Sequence, residues 1–276
     1  MGRISRGFRL AGASWRVLMA DKELLLLPLL SFVGMVTVLA LVTGIGWAGG
    51  LLDEASRTQN PLFYVLIAAL YFLCYFVAIF FNAAVVAAAM IRLRGGDPTV
   101  ADGLRAAWGK RGAIAAWALL AASVGLLLNI IESALEKKGQ WLARIVLWFV
   151  EASWNAITFF VVPVILFEEE RSVGKVLGRS KSIFFDKWGE TFVGSGSIGV
   201  AMFLVSLPVA ALVYLVYRTS PVAGVAVGVL LLGTLAAVGS ALSGIFNAAL
   251  YRYATTGETA DAFDSGDLAD TFHARA

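Results

Sequence analysis

The sequence predicts an all-α, polytopic membrane bundle of six transmembrane helices with three amphipathic helices on its inner face. Three observations carry this. Of the 276 residues, 59% are hydrophobic and only 15% charged, with a mean hydropathy of +0.81; soluble domains average about 25% charged. The charges are clustered, and the gaps between clusters reach the roughly 20 residues that cross about 30 Å of hydrocarbon. Lys and Arg alternate in density from one inter-span segment to the next, as in chains that follow the positive-inside rule.

The gaps define the spans. No Asp, Glu, Lys or Arg lies between Glu23 and Asp53, Arg57 and Arg92, Arg111 and Glu132, Glu190 and Arg218, or Arg218 and Arg252. The gap from Arg144 to Glu168 holds a single charge, Glu151. The predicted spans are therefore 24–49, 61–92, 111–131, 142–167, 191–217 and 221–252. Pro61 and Pro221 stand at first-turn positions, where a proline removes no helical hydrogen bond. The first span is expected to stay uncleaved, because its basic leader is long and its apolar run covers a whole bilayer. The membrane domain is predicted over 1–254, followed by an acidic cytoplasmic tail, 255–276, with four aspartates.

With the N-terminus inside, seventeen of the 22 Lys and Arg fall on inner segments. This predicts a multi-pass protein of the cell membrane with both termini in the cytoplasm.

The inner segments read as short helices. In "RLRGGDPTVADGLRAAWGKRG" Asp97 suits an N-cap and Pro98 a first helical residue, with Val100, Leu104, Ala107 and Trp108 on one face. In "RSVGKVLGRSKSIFFDKW" Ser172 is a cap candidate, and Val173, Val176, Leu177, Phe184 and Trp188 form a stripe. Ile4, Phe8, Ala11, Trp15 and Leu18 repeat the pattern before the first span. Arg6, Arg9, Arg105, Lys175 and Lys181 are expected to face anionic headgroups.

An internal repeat is also predicted. Asn82 and Asn155, Val100 and Val173, and Leu104 and Leu177 are each 73 residues apart. "FNAAV" at 81–85 returns as "FNAAL" at 246–250. The expected unit is one interfacial helix followed by two spans, in three copies, with Asn82, Asn155 and Asn247 as recurring amides. These either line a polar site or fix helix register by hydrogen bonds.

Composition excludes much chemistry. Cys74 is the only cysteine and His273 the only histidine. Neither a Ser-His-Asp triad nor a His- or Cys-rich metal centre has material to form, so neither enzyme activity nor a cofactor is expected. The net charge of +3 reads as a basic inner face and not as a nucleic-acid site.

The one candidate for intramembrane chemistry is Glu151. At 1.5 Å per residue it lies about 7 Å outward of the midpoint of its span, with Asn155 near the midplane. Asn129 reaches a similar depth on the third span, with Glu132 near the lip. An intramembrane acid is a functional candidate by default. The alternative is that Glu151 hydrogen-bonds Asn129 or a backbone carbonyl and holds two helices together. Pro163 and Pro208 are expected to kink or break their spans. Gly224 and Gly228, and Ser240 and Gly244, have the spacing of close helix contacts, within the chain or in self-association.

"ASWRVLMADKELLLLPLLS", "RLRGGDPTVADGLRAAW" and "SALSGIFNAALYRYATTG" resemble an uncharacterised prokaryotic family of six-span integral membrane proteins, classed as a domain of unknown function. The resemblance covers nearly the whole chain and implies the six-span fold, but no activity. A more distant likeness is to the membrane domain of glycerophosphodiester phosphodiesterases. The histidines and acidic metal ligands of their catalytic domain have no counterpart in these residues, so that activity is not implied. The expected role is a non-enzymatic membrane module that binds lipid or a membrane protein partner, itself included. The alternative is a small transporter or channel with a proton- or ion-handling site at Glu151.

Overall fold

The structure is a computed structural model, and it describes residues 3–53, 60–136, 141–169, 172–188, 195–259 and Phe263. Among these residues it is all-helical. The helices are α1 (Arg3–Ala20), α2 (Glu23–Ala48), α3 (Pro61–Leu93), α4 (Val100–Gly109), α5 (Arg111–Glu136), α6 (Trp141–Thr158), α7 (Val161–Phe167), α8 (Val173–Trp188), α9 (Ser195–Thr219) and α10 (Pro221–Thr256). Six segments are long and apolar enough to cross a membrane: Glu23–Ala48, Pro61–Leu93, Arg111–Ser133, Ile145–Phe167, Gly199–Thr219 and Pro221–Thr256.

Local chemistry explains the helix ends. The Asn60 side chain accepts from the Leu62 N–H at 3.0 Å, and Pro61 opens α3. α4 starts later than expected. Thr99 and Asp102 form a reciprocal capping box, so Thr99 and not Asp97 is the N-cap. Asp97 pairs instead with Arg92 at 3.6 Å. The Thr99 hydroxyl and N–H hold the Asp102 carboxyl below its ordinary range. α10 ends at Gly257, whose φ of +73° is the left-handed conformation that favours glycine.

The fourth span, predicted over 142–167 with Pro163 expected to kink or break it, is interrupted. It breaks at Phe159 and Phe160, between α6 and α7. Pro163 is the cause: it has no N–H to return to the Phe159 carbonyl four residues earlier. Pro208, by contrast, sits inside an unbroken α9.

The basic end of the bundle, which carries α1, α4 and α8, holds most of the core. Ala83 to Met90 of α3, Phe160 to Ile165 around α7, and Ala241 to Tyr251 of α10 meet there with Leu24, Leu27, Ile114 and Trp117. Small residues let the helices close. A Cβ on Gly103 would lie 2.6 Å from the Ala84 carbonyl oxygen, so α4 rests directly on α3. A Cβ on Gly244 would lie 2.6 Å from Val85. Gly224 abuts Tyr217 and Gly228 faces Val213. The small-residue pairs of the sixth span therefore serve packing within the chain.

Among the described residues, α4 docks on α3, α8 on α6 and α7, and α1 on α9 and α10. The last contact closes the arrangement into a ring. On α1 the buried side chains are Ala13, Ser14, Val17 and Leu18, while Trp15, predicted on the apolar face, is 46% exposed. In the segment predicted as an acidic tail, Phe263 is buried in the core; residues 264–276 lie outside the described residues.

Candidate functional site

Three helices separate at the far end of the bundle, away from α1, α4 and α8. The helical period puts Ala121, Gly125, Leu128, Asn129 and Glu132 on one face of α5. It puts Glu151, Trp154 and Asn155 on one face of α6, and Tyr71 and Tyr75 on one face of α3. These residues line a single open cleft of about 460 Å³. Glu151 is half-buried in it, and Asn129, Glu132 and Asn155 are exposed.

The cleft thus gathers the four residues singled out in the sequence. Asn129 and Glu151 share it without a hydrogen bond between them. The sequence reading missed the two tyrosines and the glycine. Tyr71 and Tyr75 stack with ring centroids 6.2 Å apart. The Tyr75 hydroxyl lies against Gly125, in space any Cβ would occupy. Two tyrosines four residues apart in an apolar span were a readable signal; the glycine opposite them was not.

The cleft ends at the packed half of the bundle. Trp154 stacks on buried Trp117, with centroids 5.9 Å apart at 25°. Below this pair lies the break in the fourth span, and its backbone is well satisfied. The Asn247 amide donates to the Phe159 carbonyl at 2.7 Å. The Ser180 hydroxyl donates to the Ile157 carbonyl at 2.6 Å and accepts from the Phe160 N–H at 3.1 Å. Asn155 and Asn247 therefore serve different places, one in the cleft and one at the break. Asn82 is half-buried on α3, beside the alanine run that packs the core.

The basic end is built around Glu168, which closes α7. Its carboxylate accepts from Arg179 Nε at 3.0 and 3.1 Å and from the Tyr251 hydroxyl at 3.1 Å. Its backbone carbonyl accepts from Lys110 at 3.0 Å. One residue so joins the turn between α4 and α5 to α7, α8 and α10. Nearby, Glu23 accepts from the Val100 N–H at 3.1 Å, tying the start of α2 to the start of α4. Asp21 is 7% exposed, and burial pushes its carboxyl above the ordinary range, against the opposing Glu23 N–H and Arg92.

Of the predicted headgroup-facing cations, Arg9, Arg105, Lys175 and Lys181 are exposed at this end. Arg105 pairs with Asp102 at 3.2 Å. The side chain of Arg6 lies outside the described residues. Among the described residues no three His, Cys, Asp or Glu side chains converge as a metal site would require. The cleft can accept hydrogen bonds through its carboxylates and amides and donate them through its phenols and amides. No Lys or Arg is among the described residues that line it.

Compared with known proteins, residues 62–261 match a family described as a family of unknown function, DUF6159. No curated protein and no solved structure matches the chain.

Proposed function

The chain belongs to DUF6159, a family of unknown function, and on that premise we propose that it is a non-enzymatic membrane module that binds lipid. One observation carries the reading. A polar cleft of about 460 Å³ lies among three long apolar helices, and Trp154 on its wall stacks on buried Trp117. A cleft of this size with a few convergent polar groups suits a binding site. The exposed Arg9, Arg105, Lys175 and Lys181 suit anionic headgroups at the other surface. The excess of Lys and Arg on their side supports a cytoplasmic location for both termini. A triplicated unit of one short helix and two spans is supported by the cyclic docking of α1, α4 and α8.

Native mass spectrometry of the protein in delipidating detergent tests this. At least one phospholipid adduct is expected to survive and to return when phosphatidylglycerol or phosphatidylethanolamine is added back. Protein that stays bare with both would refute the reading.

The break below the cleft favours a second reading, since interrupted helices line the sites of many transporters. A transporter using Glu151 should move protons or ions in proteoliposomes and lose this in Glu151→Gln. Absence of flux in folded wild type leaves the lipid-binding module.

A further inference from the structure

Helix α6 carries two different concavities, one on each side of Trp154. The polar cleft holds Glu151 and Asn155. The other is an apolar groove of about 430 Å³ lined by Val146, Phe149, Val150, Ser153, Trp154 and Ile157. Of these six, only Ser153 is polar, and its hydroxyl is turned to the Phe149 carbonyl at 2.8 Å, leaving the groove an apolar surface. Trp154 belongs to both, so the two concavities adjoin along one helix.

We propose that cleft and groove form one bipartite site for a bilayer lipid with an amine headgroup: the ammonium in the cleft, one acyl chain in the groove. The proposal rests on the lipid-binding reading and gives it a headgroup class.

Charge selects the head. Glu132 and Glu151 bring two carboxylates, and no described lining residue brings a basic group. An ammonium has three donors and no acceptor, which the carboxylates and the amide oxygens of Asn129 and Asn155 match. The faces of Tyr71, Tyr75 and Trp154 add the attraction of aromatic rings for a cation. The position of the groove selects an amphiphile over a free amine. Its walls face the hydrocarbon level of the span, where an acyl chain is already present. Chain and head then meet at Trp154 of α6, which lines both concavities.

The test uses the full-length protein in delipidating detergent. Phosphatidylethanolamine and phosphatidylglycerol with identical chains are titrated against wild type, Glu132→Gln/Glu151→Gln and Ser153→Phe, with bound lipid counted by native mass spectrometry. Wild type should retain phosphatidylethanolamine in preference to phosphatidylglycerol. The double variant should weaken phosphatidylethanolamine about tenfold and leave phosphatidylglycerol unchanged, the loss expected for charge-assisted hydrogen bonds. Ser153→Phe, which fills the groove, should weaken lipid binding while soluble phosphoethanolamine competes poorly with either. Thermal unfolding of each variant separates misfolding from lost binding. Retention of both lipids with no headgroup preference, or an unaffected double variant that is folded, overturns the amine site but keeps the lipid module. Competition by phosphoethanolamine as strong as by the intact lipid overturns the groove. No retention of any lipid overturns both.

Discussion

Asn247 should matter only because Pro163 is there. Pro163 cannot donate to the Phe159 carbonyl, and the Asn247 amide does so from α10 at 2.7 Å. Asn247→Leu removes that donor and keeps the branched shape. Interhelical hydrogen bonds in membrane proteins average about 0.6 kcal/mol and reach about 1.7. Stranding a buried carbonyl adds about 1–3 kcal/mol. Against this, the other amide atom of Asn247, Oδ1, is buried with no partner among the described residues, and the substitution relieves it of a similar penalty. The net expectation is a loss of about 1 kcal/mol, or roughly 2–4 °C in Tm for a chain of this size. In a Pro163→Ala background the alanine N–H can return to Phe159, so Asn247→Leu should then cost almost nothing. Unfolding free energies of wild type, both single variants and the double variant in mixed micelles give the coupling directly. An Asn247→Leu loss equal in the two backgrounds, to within about 0.3 kcal/mol, would refute the account, because independent sites add to that precision.

Three further outcomes are expected. Gly103→Val should lift α4 from α3, since a Cβ there falls 2.6 Å from the Ala84 carbonyl oxygen; overpacking of this kind costs roughly 1–3 kcal/mol, measured by the same unfolding assay. Asp21→Asn should flatten part of the pH dependence of stability. Burial raises the folded-state pKa of Asp21 above the unfolded value near 4. Its contribution is therefore full below that value and is lost as pH rises through the folded one, so the variant should gain on wild type in that window. In a Cys74→Ser background, cysteine at Asp53 should react with an impermeant thiol reagent from outside the cell, and cysteine at Arg105 or Lys181 should not; the reverse pattern would invert the proposed topology.

Much of the fold was legible because span formation is a local property. Glu23, Arg92, Arg111 and Arg252 bound stretches too apolar for anything but hydrocarbon, and the helices begin or end within a few residues of them. The Thr99 capping box is equally local, its two members three residues apart, although Asp97 and Pro98 also read as a helix start. Pro163 announced a broken ladder. Glu151 and Asn129 could be placed at a similar depth from their distances to the charged ends, with Asn155 nearer the midplane and Glu132 near the lip, and all four line one cleft.

The sequence by itself determined which segments are helices, how many can cross a membrane, and where polar groups interrupt them. The tertiary structure decided what those polar groups meet. Asn247 finds Phe159 across 88 residues and Tyr251 finds Glu168 across 83. Tyr75 enters the cleft because Gly125, on another helix, leaves room for its hydroxyl. The physical reason is one of range. Twenty apolar residues partition into a bilayer whatever surrounds them, whereas a hydrogen bond between helices needs rotation and register set to a fraction of an ångström. That setting comes from the alanines and glycines packed at the basic end, whose contacts are shared among helices far apart in the chain.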